Sequence, residues 1–251
     1  MRVALKFAYN GQNFYGYARQ PNLKTAEGEV IKTLIKHGFI EDTKDSYFRS
    51  ASRTDKGVSA LCNVVAFNTS FTSKKILDNL IPETGDILFY ASVEVDDDFN
   101  PRHAKTRVYR YYLKHSDIDI NKVTETLSLF TGVHDFSNFA RVEEFKDPIR
   151  KIDNIAVSKL DDFLIIDFYA PNFLWNQIRR IISAVKKVGA GKIEKQEVLE
   201  ALFNPDKNAD FNVASAHQLI LKNIFYNFDF EYSSDYLSNL NELENKVLSN
   251  I

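Results

Sequence analysis

Apolar and polar residues alternate from the start of this chain. In RVALKFAY, residues 2–9, Val3, Leu5, Phe7 and Tyr9 share one face, the two-residue period of a strand. YNGQNFYGYARQ follows, and its Asn-Gly pair and Gly16 predict a turn or loop. The period then changes. In AEGEVIKTLIKHG, Val30, Ile31, Leu34 and Ile35 recur at helical spacing, and Gly38 suits a C-terminal cap. Residues 62–69 read as a strand, 73–81 as a short helix and 86–95 as another strand.

An acidic stretch with Asp96, Asp97, Asp98 and Pro101 has the chemistry of a loop and separates two halves. Beyond it, TRVYRYYLKH reads as a strand and residues 121–130 as a helix. Residues 151–159 and 163–170 form a strand pair turning at Asp161 and Asp162. The clearest helix is LWNQIRRIISAVKKVGAG, in which Leu174, Ile178, Ile181, Ile182, Val185 and Val188 line one side and Gly189 ends it. A short helix over 194–203 and a strand over 218–230 follow, and 236–250 is an amphipathic helix or a frayed tail. No repeat of fixed period occurs. The expected architecture is two α+β halves built around sheets with a cleft between them, divided as 1–98, 99–230 and a tail of 231–251.

Composition narrows the class. Of 251 residues, 44% are apolar and 26% charged, which is a folded globular chain and not a disordered one. No apolar run approaches the roughly 18 residues of a membrane span, and MRVALKFAYNG is too short and interrupted for a signal peptide. One cysteine, Cys62, excludes an internal disulfide and a cysteine-based zinc cluster, so a cytoplasmic location is expected. The five histidines lack ligand spacing, and no GxxxxGK[ST] or GxGxxG pattern occurs, so neither a metal nor a cofactor is expected. The net charge of −2 hides an uneven distribution. Arg102, Lys105, Arg107, Arg110 and Lys114 cluster without an acid between Pro101 and His115. Asp229, Glu231, Asp235, Glu242 and Glu244 face a single base, Lys246, at the other end.

The densest candidate chemistry lies in ASRTDKGVSALCNVVAF, residues 51–67. If 53–55 is extended, Arg53 and Asp55 project to the same side, and Gly57 permits a tight turn. A carboxylate beside an apolar floor resists ionisation, and a nearby guanidinium opposes that. Two readings follow: a surface salt bridge capping a turn, or an ionised, poorly solvated nucleophile.

This run resembles the R-T-D-x-G-V-x-A signature of TruA-type tRNA pseudouridine synthases. Four further blocks are similar to that family in the same order: YNGQNFYGYARQP (9–21), FNPRHAKTRVYRYYL (99–113), GVHDFSNFA (132–140) and PNFLWNQIRRIISAVKKVG (171–189). The blocks lie between residues 9 and 189, and the resemblance covers about residues 3 to 230. Asn10, Tyr17-Ala18, Lys56 and Ser59 depart from the common bacterial pattern and look like the archaeal and eukaryotic branch.

The resemblance implies an α+β pseudouridine synthase fold: two subdomains whose antiparallel sheets are joined side by side, with a central RNA-binding cleft. It implies a cofactor-free isomerase that converts uridine to pseudouridine in the tRNA anticodon stem-loop, at positions 38 to 40, acting as a homodimer. A target base inside a helix would have to be flipped out. By the same resemblance Asp55 is the catalytic aspartate, Arg179 pairs with it, and Tyr109 stacks on the target base, with Tyr111 read as core. Arg53 fills the vacated stack, binds phosphate or pairs with Asp55. Arg102, Lys105, Arg107 and Lys24, with Arg19, Lys186 and Lys187, are backbone contacts. Two rivals remain at this point. One is a non-catalytic RNA-binding module that stacks bases on a sheet. The other is a glycosidase or nucleosidase, which would normally need a second carboxylate.

Overall fold

A computed structural model describes residues 1–81 and 85–249. In chain order, β1 (Arg2–Tyr9) leads through a short 3-10 turn to α1 (Ala26–Lys36), then β2 (Arg49–Ser50), β3 (Ser59–Asn68), α2 (Ser73–Leu80) and β4 (Ile87–Val95). Next come β5 (Thr106–Lys114), α3 (Ile120–Ser128), β6 (Gly132–Asp135), β7 (Ile149–Ile152), β8 (Asn154–Leu160) and β9 (Phe163–Ala170). The chain closes with α4 (Gln177–Gly189), α5 (Lys195–Phe203), β10 (Leu219–Phe225), β11 (Glu231–Tyr232) and α6 (Tyr236–Leu248). These elements fall into two compact units, Met1–Lys105 with Ile220–Ile251, and Thr106–Leu219. Both mix helices with antiparallel strands, the α+β class expected. The sequence reading assigns 99–230 to one half and 231–251 to a C-terminal tail or short helix. By packing, the last strands and α6 belong with the N-terminal unit; residues 250–251 lie outside the described residues.

In the first unit the strand order is β11-β4-β1-β3-β10, with β2 also paired to β3. Pairing is antiparallel except between β10 and β3. The alternation of β1 predicts one buried face, yet all eight of its residues are buried. The C-terminal segment explains this. The Lys6 ammonium sits 4.5 Å from the Phe230 ring centre and donates to the Tyr232 hydroxyl at 2.8 Å. Arg2 donates to the carbonyls of Phe99 and Tyr47 and to Asn68 Oδ1. A long cation whose stem lies on aromatic rings can be covered this way at small cost. α6 is tied down by the buried Val247 and by the Lys222–Glu244 ion pair at 2.7 Å. The reading of 236–250 as helix or tail thus resolves to a helix over the described part.

In the second unit β5, β9 and β8 form an antiparallel run, and β6 pairs with β7. The long 151–159 strand of the sequence reading is two elements, broken at Asp153. α4 begins three residues later than its apolar pattern, because Asn176 takes a left-handed backbone (φ +61°) and Gln177 Oε1 accepts from Leu174 N instead. Its Ile178, Ile181, Ile182, Val185 and Val188 are buried, as the stripe requires. Asn138, within the GVHDFSNFA block, is buried. Its amide donates to the carbonyls of Ala201 and Asn204, and its Oδ1 accepts from Ala209 N at 2.8 Å.

Because Asn138 satisfies three backbone groups, Asn138→Ala should leave them short of partners and destabilise the second unit by about 3 kcal/mol. Hydrogen exchange of amides in α4 and α5 measures this locally, which suits a chain of two units. Unchanged protection would show that water replaces the side chain without loss.

Candidate active site

The segment carrying Asp55 has no regular hydrogen-bond ladder of its own beyond β2. It is held by side chains of the strands beneath it. Asn63, buried within the apolar β3, donates to the Ser52 carbonyl at 2.9 Å and accepts from Val64 N. Ala51 N donates to the Val64 carbonyl at 2.8 Å. Thr54 is buried, and its hydroxyl shares a 2.8 Å hydrogen bond with the hydroxyl of Tyr9 at the end of β1. Its carbonyl accepts from Tyr17 N at 3.1 Å, so the loop after β1 is laced to the same segment. A polar residue in a buried strand must find partners, and here those partners are the backbone of the segment that presents Asp55.

The turn itself closes by a 3.1 Å bond from Val58 N to the Asp55 carbonyl, with Gly57 at φ +86°. Only glycine takes that backbone without strain. Gly11 makes the second close approach. Its N–H donates to Ser59 Oγ at 3.0 Å, and a Cβ added there would stand 2.2 Å from the Val58 carbonyl oxygen. The Asp55 side chain is partly exposed at the head of this turn, between a buried Thr54 and a buried Gly57.

Arg53 is exposed and forms no ion pair with Asp55. The same-side expectation assumed extended backbone, and residues 51–55 are irregular. The local salt bridge, one of the readings of Arg53, is therefore not formed.

The remaining candidates divide between the two units. In the first, Arg102 and Lys105 are exposed. Lys24 is ion-paired to Asp86, which also accepts from Asn13, and lies 5.4 Å from the Phe14 ring centre. In the second, Arg107 is only 6% exposed and donates to the Pro171 carbonyl, so it is not among the exposed bases of its strand. Tyr109 is buried, its ring edge-on to Phe173 at 5.4 Å. Tyr111 is buried, as read, and donates to Gln218 Oε1; burial raises its hydroxyl above the ordinary tyrosine range, and the nearby Arg179 charge opposes this. Arg179, in the first turn of α4, donates from Nε to the Ala214 carbonyl at 2.8 Å and from Nη1 to Asn176 Oδ1 at 3.1 Å. No group of three or more His, Cys, Asp or Glu side chains able to hold a metal ion comes together among the described residues. No helix among them is long and apolar enough to cross a membrane.

A family model described as tRNA pseudouridine synthase matches residues 127–227. A tRNA pseudouridine synthase A of Thermococcus sibiricus is 44% identical over 230 residues, covering 90% of this chain and 85% of the relative. The chain belongs to the tRNA pseudouridine synthase A family. The relative of that name from Pyrococcus abyssi matches equally, and that from Methanocella arvoryzae is 41% identical over 231 residues. A chain of a solved Cbf5-Nop10-Gar1 complex is far more distant, 14% identical with a TM-score of 0.38 over 72% of this chain and 45% of that one, and carries no argument. Membership of this family decides against the non-catalytic module and the glycosidase.

Sequence reasoning missed Tyr9, Asn63 and Gly11 as the supports of the Asp55 turn. Asn63 alone left a signal, as the one amide inside an apolar strand.

Tyr9→Phe should orphan the buried Thr54 hydroxyl and cost the first unit about 2 kcal/mol. Adding Thr54→Val should restore part of that loss, a coupling of about 1 kcal/mol in a double-mutant cycle read by hydrogen exchange at β3. Strictly additive losses would show that the two hydroxyls do not depend on each other.

Proposed function

We propose that this chain isomerises uridine to pseudouridine in the anticodon stem-loop of tRNA, at positions 38 to 40, on a flipped-out base, with Asp55 as nucleophile. Support comes first from the family, whose relatives named tRNA pseudouridine synthase A share 44% of residues over 90% of the chain. The observation that carries the assignment to Asp55 is its setting: a partly exposed carboxylate on a turn flanked by buried hydrogen bonds, those of Ser52 and Thr54 before it and that of Ser59 after it. A nucleophile gains from being held before the substrate arrives, because the orientation cost is already met by folding.

The reaction conserves its atoms. The bond from ribose C1′ to uracil N1 breaks, the uracil turns, and C5 bonds to C1′. One proton leaves C5 and one arrives on N1, so no redox partner is required. Asp55 acts at the sugar, where a fixed negative group also stabilises developing positive charge. Tyr109 and Arg179 keep the roles that the resemblance gives them, as base-stacking ring and guanidinium partner. Among the candidate backbone contacts, the exposed Arg53, Arg102 and Lys105 are best disposed for phosphate, and Lys24 would first have to exchange Asp86. The resemblance adds a homodimer that grips one tRNA with both subunits.

Tritium release from tRNA labelled at uridine C5 tests the assignment. Wild type should release label, and Asp55→Asn should release it at least about 1,000-fold more slowly while still binding tRNA. Release at the wild-type rate from the variant would remove Asp55 from the chemistry. Mapping pseudouridine along the product tRNA tests the position.

A further inference from the structure

The first unit contains a pocket of about 580 Å³ into which four guanidinium groups converge: Arg19, Arg49, Arg53 and Arg102. They come from three separate stretches of chain: the loop before α1, the segment around β2, and the stretch after β4. Its one carboxylate, Glu27, is already engaged. Oε1 accepts from Ser50 Oγ at 2.9 Å, and Oε2 accepts from Arg19 N at 3.1 Å and lies 3.9 Å from Arg19 Nε. Glu27 therefore balances Arg19 at most.

Arg49 and Arg53 are treated differently from structural arginines elsewhere in this chain. Arg110 is bound by two 2.8 Å bonds to Asp167, and Arg2 by three hydrogen bonds. In the pocket, Arg53 forms no hydrogen bond or ion pair among the described residues, and Arg49 donates only to the neighbouring Phe48 carbonyl. The Arg49 charge is felt nearby: burial and then that charge lower the Arg2 guanidinium below its ordinary range, with Asp97 opposing them. Beside Ser50 and Glu27, the Tyr17 hydroxyl is buried without a properly formed hydrogen bond. Gathering like charges in a concavity costs free energy unless an anion sits among them, and arginine forks match the paired oxygens of a phosphate.

We infer that this pocket seats one backbone phosphodiester of the RNA, with Arg49 and Arg53 as its principal ligands. This rests on the proposed function for the identity of the RNA. Arg53 and Asp55 are two residues apart, so their Cα atoms lie within about 7 Å. A phosphate held here anchors the strand next to the nucleotide that Asp55 meets. Arg49 supplies binding and not chemistry.

The test uses the full chain and a labelled anticodon stem-loop RNA, with affinity measured across a salt series. Arg49→Gln should weaken binding and reduce the slope of log affinity against log salt by about 0.7 to 0.9, the counterion release of one phosphate. Arg49→Lys should keep most of the slope, and Lys32→Gln, an exposed lysine of α1, should leave it unchanged. In RNAs with single methylphosphonate linkages, one linkage should reproduce the Arg49→Gln loss in wild type and add nothing in the variant. Equal slopes for wild type and Arg49→Gln overturn the inference. So does a pocket that binds inorganic phosphate in the absence of RNA, lost in Arg49→Gln, with no linkage coupled to it. Either result leaves the proposed function standing if Asp55→Asn still abolishes tritium release. Release surviving in Asp55→Asn removes Asp55 from the chemistry whatever the slopes are.

Discussion

The Asp55 turn has no regular structure of its own, and everything assigned to it depends on hydrogen bonds made by buried polar groups in the two strands below. Tyr9 holds Thr54, Asn63 holds Ser52, and Ser59 accepts from Gly11. Each of these groups would be costly if left alone in a strand buried on both faces, so the apolar surroundings enforce the bonds as much as the bonds fix the turn. The result is a stiff presentation of one carboxylate without a helix or strand beneath its own residue. Steric constraint completes it. The space beside Gly11 is filled by the Val58 carbonyl, so the loop after β1 and the Asp55 turn cannot shift independently.

Charge is arranged on the same principle. The acidic excess after residue 229 reads in the sequence as a bare tail. In the structure some of it is engaged: Glu244 binds Lys222, and Glu242 pairs with Lys246 along α6. Arg110 and Asp167, directly opposite in register on β5 and β9, neutralise each other. Against such pairs, Arg49 and Arg53 stand out in the pocket, since among the described residues neither is paired to a carboxylate.

Much of the fold was legible. Helices α1 to α5 and strands β1, β4, β5 and β9 follow from the period of their apolar residues, because each buries the surface that the period describes. Failures came where a residue's surroundings are set by distant chain. β1 reads as one-sided, yet Phe230 and Tyr232, more than 220 positions away, cover its polar side. Ile35 fits the stripe of α1 but is 44% exposed, since Val30, Ile31 and Leu34 already fill the contact. The start of α4 was missed because a left-handed Asn176 interrupts an apolar pattern that continues through it. In the candidate site, Asp55 was legible from its motif, whereas Tyr9 looked like any strand tyrosine and Arg49 like any surface arginine.

Of the readings of Arg53, the salt bridge is the one that is not formed, and the reason is instructive. Side chains two apart share a side only in extended chain, and between β2 and β3 the backbone follows the bonds that Asn63 and Thr54 impose. Arg53 therefore joins Arg19, Arg49 and Arg102 instead of neutralising Asp55. Had the two paired, Arg53 would be engaged locally and could not hold a phosphate. Kept apart, one short segment carries the proposed phosphate ligand and the proposed nucleophile. A ribonucleotide chain has matching parts close together, a negative phosphate and a sugar carbon that becomes electron-poor as its base departs. On this reading, separation of the two charges is what lets eight residues both bind and react.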